Sequence, residues 1–252
     1  MNSQIIGKTV VLLERVASTN NYATDQVREN EVEEGTVFLA DDQSAGRGHL
    51  ANKWESEPGK NLTFSIFIRP NFLPIEKTYL LSKVVCLGIE SFLTPFVDHV
   101  KIKWPNDIYV DDRKICGILI ENGIMNDQIC QSIIGIGLNI NQVKFRSDAP
   151  NPVSLSQLTG EQYDLLELIK ALLKQIDYYY RRLVDGEAEE INRQFVSKLY
   201  QLNEWHWYND KNHTYKGQII GVNEIGQLKV EEEGGILNEY HFKEVTYLTN
   251  GG

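Results

Sequence analysis

The residues best suited to chemistry in this chain sit in short polar segments where apolar runs end. Gln43, Gly46, Arg47, Lys103, Asn106, Asp107, Lys114 and Asn139 all occupy such positions. Cations and amide donors fixed at strand ends stabilise charge that develops in a transition state, so the set suits phosphoryl or adenylyl chemistry. Its densest part is Val100 to Glu121 (VKIKWPNDIYVDDRKICGILIE), which carries Lys103, Asn106, Asp107, Arg113 and Lys114 on two alternating segments around a turn at Asp111 and Asp112. Gly46 and Gly48 flank Arg47. Glycines admit close backbone approach, and successive peptide N–H groups can enclose an anion, but the tripeptide alone is a weak signal.

Other chemistries find little support. His49, His99, His206, His213 and His241 form no HExxH motif and no Cys/His cluster, and neither GxSxG nor GxxxxGK[ST] occurs. Gly135 and Gly137 precede Asn139 at the end of an apolar run, yet the third glycine and amphipathic helix of a dinucleotide fingerprint are missing. Those glycines instead leave space for a ligand against a strand. Cys86, Cys116 and Cys130 lie in apolar runs without CxxC spacing, which fits buried thiols in a reducing compartment. A net charge of −10 and a pI near 5.1 argue against non-specific nucleic-acid binding. The sequence shows no leader pattern and no apolar run long enough for a membrane span, so a cytoplasmic protein is expected.

The elements that must position these residues follow from periodicity. Strands are expected at Lys8–Glu14, Thr36–Ala40, Asn61–Arg69 and Gln128–Ile136, besides the pair within Val100–Glu121. Ser18 and Thr19 are good N-caps for a helix over Asn20–Arg28, and Lys77–Leu93 has an apolar face broad enough to pack on a sheet. Asn141–Gly160 reads as a loop, and Tyr163–Val184 and Glu187–Tyr200 as helices broken at Asp185-Gly186. Composition then changes around Gln201–Trp205. Short alternating segments at Thr214–Val222, Gly226–Glu231, Gly235–Phe242 and Val245–Leu248 predict a small β-barrel.

Five segments in order over about 125 residues carry a resemblance: Ser18-Thr19-Asn20, QSAGRG from Gln43, KWPND from Lys103, RKICGILIE from Arg113 and GIGLNIN from Gly135. Together they resemble the successive motifs of biotin protein ligases, and the segment at Lys243-Glu244-Val245 is similar to that family's SH3-like domain. The resemblance implies an α+β fold with a class II synthetase-like mixed β-sheet flanked by helices. It places a catalytic domain at 1–200 and a small C-terminal SH3-like β-barrel at 201–252. It implies activation of biotin by MgATP to biotinyl-5′-AMP, then transfer to one lysine of a biotin carboxyl carrier domain.

Residue by residue, the resemblance assigns Ser18, Thr19, Gln43, Gly46 and Arg47 to the polar ends of biotin, and Gly117, Ile118 and Gly137 to its body. Lys114 becomes the central cation between the biotin carboxylate and the α-phosphate. Arg47, Lys103, Asn106 and Asp107 fall to the ATP phosphates and the magnesium they carry, which has no direct protein ligand and is expected near Asp107. Asn139 falls to the nucleotide side, and Trp54 to the adenine. Asp107 has a second role open to it, orienting or deprotonating the acceptor lysine. His49 stands where the family's glycine-rich loop has an arginine, and is expected to act as a weaker, pH-dependent substitute. Bifunctional members carry an N-terminal DNA-binding domain, and with the motifs beginning at Ser18 a ligase without repressor activity is expected. Oligomeric state stays open between monomer and homodimer. The competing readings are a lipoate–protein ligase, disfavoured by Gln43, the GRG loop and KWPND, and a non-catalytic module of the same fold.

Overall fold

The computed structural model describes residues 4–49, 52–126, 128–146 and 151–248; Leu50 and Ala51 of the glycine-rich loop lie outside them. Seven strands form one mixed sheet: β1 (Val10–Val16), β2 (Val37–Gln43), β3 (Leu62–Ile68), β4 (Val100–Lys103), β5 (Asp107–Val110), β6 (Arg113–Met125) and β7 (Gln128–Leu138). Their order is β1-β2-β3-β7-β6-β5-β4. Only β1 and β2 run parallel, and α1 (Thr19–Glu29) makes the crossover that a parallel pair requires. Every residue of β3 is buried because both faces of the sheet are covered there. On one face Ala23 of α1 packs with Phe38, Phe67 and Ile133. On the other lie α2 (Tyr79–Leu93) and α4 (Leu165–Val184), the first almost wholly buried between the sheet, α4 and α5 (Ala188–Ser197).

Two segments differ from the expectations of periodicity. The connection over 141–160 contains α3 (Leu155–Thr159), closed by a capping box in which Ser154 and Gln157 exchange bonds and by Gly160 at φ 79°. Five residues are too few to show a helical period. The second difference is β8 (Trp205–Asp210), in which Trp205 and Trp207 face solvent while Tyr208 is fully buried. Its large apolar residues point outward, so alternation misreads it.

β8 joins β9 (Thr214–Val222), β10 (Leu228–Glu232), β11 (Leu237–Tyr240) and β12 (Val245–Leu248) in an antiparallel sheet ordered β11-β10-β9-β8-β12. Among the described residues the end strands β11 and β12 do not pair with each other. Tyr208, Ile219 and Val230 from this small sheet belong to the same buried cluster as Ile102, Ile108 and Ile115 of the large one.

The small sheet also grips the Lys103–Asp107 segment. Trp104 donates its indole N–H to the Gly226 carbonyl at 2.9 Å, and Tyr79 donates its hydroxyl to the Pro105 carbonyl at 2.7 Å. The Trp104-Pro105 peptide is cis. Gly226 has φ 92°, and a Cβ there would lie 2.6 Å from the Tyr79 ring. Both the backbone conformation and the space demand glycine. Gly226→Ala is therefore expected to lower stability by about 1–3 kcal/mol, read as a lower denaturant midpoint at unchanged slope. An unchanged midpoint would show that this turn does not clamp the segment.

Candidate functional site

The site is built on a floor without side chains. β6 and β7 are antiparallel in a register that sets Gly117 opposite Gly137 and Leu119 opposite Gly135. The Trp54 indole lies against this floor: a Cβ at Gly137 would come 2.2 Å from Trp54 Cε2, and one at Gly117 2.9 Å from Trp54 Cζ3. Asn20 fills the equivalent space over Gly135, where a Cβ would meet its Oδ1 at 2.3 Å. Around the floor opens a cavity of about 1090 Å³. Every residue assigned a role from the sequence lines it except Gly46, whose carbonyl instead accepts from the Trp54 N–H at 3.0 Å. Arg113 is exposed and stands outside it.

At one end the polar groups are fixed by a buried network. Ser18 occupies the N-cap of α1 without making a side-chain capping bond, so capping alone does not account for it. Gln43 Oε1 accepts from the Thr19 N–H at 2.8 Å and its hydroxyl at 3.1 Å. Ser65, wholly buried on β3, donates toward Thr19 and Asn20 at 2.8 and 2.6 Å. The Asn20 amide in turn donates to Glu121 at 2.7 Å, and Glu121 takes the Arg47 guanidinium on both carboxylate oxygens, at 2.8 and 3.3 Å. A two-point guanidinium–carboxylate contact fixes orientation as well as charge. It ties the glycine-rich loop to β6, and the Arg47–Lys53 bridge closes the loop on itself.

In the middle, Lys114 Nζ pairs with Asp107 Oδ2 at 2.7 Å and sits 5.8 Å from the centre of the Trp54 ring. A register shift between Ile108 and Tyr109 sets Tyr109 opposite Lys114, so the irregularity in the β5–β6 pairing adjusts where the lysine stands. Asn106 is buried and spends its amide on the Ile118 carbonyl, so it shapes the wall beside Asp107. Asn139 donates to Val153 at 3.1 Å, while its buried Oδ1 has no partner.

At the far end, Lys103 Nζ lies 4.6, 5.6 and 4.8 Å from the ring centres of Tyr109, Tyr200 and Tyr247. Burial pushes its pKa down, opposed by Asp107 and reinforced by Lys114. His49 packs against Phe242 with centroids 5.0 Å apart and the ring planes tilted by 56°. Burial also pushes its pKa below 6.5, against the pull of Asp107.

The sequence reading assigned no role to Asn20, Ser65, Glu121, Phe242 or Tyr247. Asn20 and Glu121 lie inside quoted motifs, whereas Ser65 and the aromatic residues carry only the pattern of strand packing. Among the described residues no cluster of three or more His, Cys, Asp or Glu side chains could hold a metal, and no helix is long and apolar enough to cross a membrane. A smaller hollow of about 500 Å³ between Glu31–Glu34 and Arg69 contains none of the residues discussed. The environment of His49 is directly measurable: its imidazole should titrate by NMR with a midpoint below 6.5. Asp107→Asn removes the charge that favours the imidazolium and should lower the midpoint further. A midpoint at or above 6.5 would contradict the burial seen here.

The profile of the Biotin/lipoate A/B protein ligase family matches residues 12–139. The bifunctional ligase/repressor BirA of Bacillus spizizenii is 30% identical over 249 residues, covering 95% of this chain and 74% of that protein. That of Escherichia coli is 32% identical over 239 residues, covering 94% and 71% respectively. The biotin protein ligase of Aquifex aeolicus in complex with biotin and ATP superposes with a TM-score of 0.78 at 28% identity, over 96% of this chain and 99% of that one. The matched region contains the glycine floor, Lys114 and Asp107, and the chain belongs to the biotin/lipoate A/B protein ligase family.

Proposed function

We propose that this chain is a biotin protein ligase that joins biotin to ATP and then passes the biotinyl group to a lysine of a biotin carboxyl carrier domain. What supports the reading most is the position of Lys114: its ammonium stands beside the glycine floor, over the Trp54 ring and paired with Asp107. On one side of it lie the amide and hydroxyl groups of Thr19 and Gln43, on the other the caged Lys103.

In the first step a biotin carboxylate oxygen attacks the α-phosphorus, the bond to the bridging oxygen breaks and pyrophosphate leaves. Lys114 offsets the charge of two anions forced together, and its contribution is largest at the five-coordinate phosphorus, where charge is greatest. Ser18, Thr19 and Gln43 meet the ureido group, whose two N–H donors and one carbonyl need fixed partners. Gly117 and Gly137 seat the Trp54 indole, which with Ile118 lines the space for the apolar body. Trp54, read from sequence as the adenine-stacking residue, lies with its indole on the glycine floor. Arg47, Lys103 and Asn139 serve the nucleotide, with Asn106 holding the wall from which Asp107 projects. Magnesium carried on the ATP phosphates supplies charge neutralisation, with Asp107 the carboxylate at hand. His49 occupies the arginine position of the loop with its ring packed against Phe242.

In the second step the uncharged amine of the acceptor lysine attacks the acyl carbon, AMP leaves and the amine gives up a proton. Asp107 is positioned to orient that amine once the nucleotide has reacted. Reaction in the cytosol fits three free thiols and the acidic composition.

Biotin should support ATP–pyrophosphate exchange and lipoate should not. Lys114→Ala should lower the biotin-dependent rate by roughly 100- to 1000-fold, the usual cost of removing one stabilising group from a transition state. Exchange with lipoate alone, or a fully active Lys114→Ala protein, would overturn the reading.

A further inference from the structure

Lys103 and Tyr247 form an unfinished pair. Lys103 makes no ion pair among the described residues; its Nζ is enclosed by three phenol rings and reaches only the Tyr109 hydroxyl, at 3.4 Å. Of those three phenols, Tyr109 faces the lysine and Tyr200 donates to Asp112 at 2.6 Å. The Tyr247 hydroxyl is buried and has no partner among the described residues. Buried hydroxyls are normally bonded, so an unpaired one beside a ligand cavity marks a group whose partner arrives with the ligand. Tyr247 lines the large cavity, and it comes from β12 of the small sheet, where it pairs with Tyr208 of β8. A cation that makes no ion pair and an O–H without an acceptor, both among the described residues, thus meet at one end of the cavity, delivered by different sheets. Both deficits are met by the same chemistry, a phosphate oxygen.

We infer that Tyr247 is a nucleotide-binding residue: its hydroxyl donates to a phosphate oxygen of ATP that Lys103 holds by charge. This rests on the adenylation reading above and adds to it a direct part for the C-terminal sheet in the first half-reaction. The ring has a second part, as one wall of the cage around Lys103. Tyr247→Phe separates the two, because it keeps the ring and the packing and removes only the donor.

The test is ATP–pyrophosphate exchange with Tyr247→Phe, alongside transfer from preformed biotinyl-5′-AMP to a carrier domain. Loss of a hydrogen bond to a charged group should raise the KM for ATP roughly tenfold or more. The KM for biotin and the transfer rate should stay at wild-type values. Melting temperature should hold or rise, since an unpaired buried hydroxyl stabilises nothing in the free protein. A wild-type KM for ATP in Tyr247→Phe would overturn the assignment, as would a general loss of stability that lowers both half-reactions equally. Calorimetric titration of MgATP into wild type and Tyr247→Phe decides the point independently. If wild type binds ATP but shows no biotin-dependent exchange, the ligase reading fails, while a tenfold weaker ATP affinity in Tyr247→Phe still upholds the contact.

Discussion

The absence of side chains at Gly117, Gly135 and Gly137 is the constraint on which the rest of this molecule depends. Two neighbouring strands in the centre of a buried sheet give up packing at adjoining positions, and Trp54 and Asn20 settle into the space. Glycine within a strand costs about 0.5–1 kcal/mol relative to alanine, and it offers no side chain for its neighbours to pack on. That loss is tolerable because β3, on the other side of β7, is buried along its whole length and anchors the sheet. The outcome is a groove in a rigid element, with its polar groups supplied from the periphery.

Those groups are held by partners of their own. Gln43 is fixed by Thr19, Thr19 by Ser65, Asn20 by Glu121 and Arg47 by Glu121, so the polar end and the glycine-rich loop share one network. The segment bearing Lys103, Asn106 and Asp107 is gripped from behind by Tyr79 of α2 and from the side by Gly226 of the small sheet. In a chain of net charge −10, Arg47, Lys53, Lys103, Lys114 and Lys243 nevertheless line one cavity. Arg47 and Lys114 are balanced by Glu121 and Asp107, and Lys103 is enclosed in aromatic rings. This arrangement concentrates positive charge where phosphates are to be bound while keeping the rest of the surface acidic.

Much of this was legible in the residues themselves. Lys114, Asp107 and the glycine pair could be found because polar groups interrupt strongly apolar strands, and an interruption in a regular pattern is visible without a structure. The helix at 165–184 was legible for the converse reason, an apolar face repeated over 20 residues. Tyr247, Tyr200 and Phe242 were not, since aromatic residues in short strands read as packing, and only their convergence on Lys103 and His49 reveals another part. The lowered pKa of His49 was likewise hidden, because burial is set by neighbours distant in sequence, Phe242 among those it touches. β8 escaped because its tryptophans face outward, and α3 because a capping box without a periodic stretch is easily taken for a turn.

The central claim is that one cavity, floored by glycines and centred on Lys114, activates biotin and hands it on. Mass spectrometry of a purified biotin carboxyl carrier domain, incubated with this protein, biotin and MgATP, tests it most directly. The account predicts that the carrier gains one biotinyl group on a single lysine, and only when biotin and ATP are both present. A carrier of unchanged mass, in the presence of a protein shown to be folded and to bind both ligands, would contradict it.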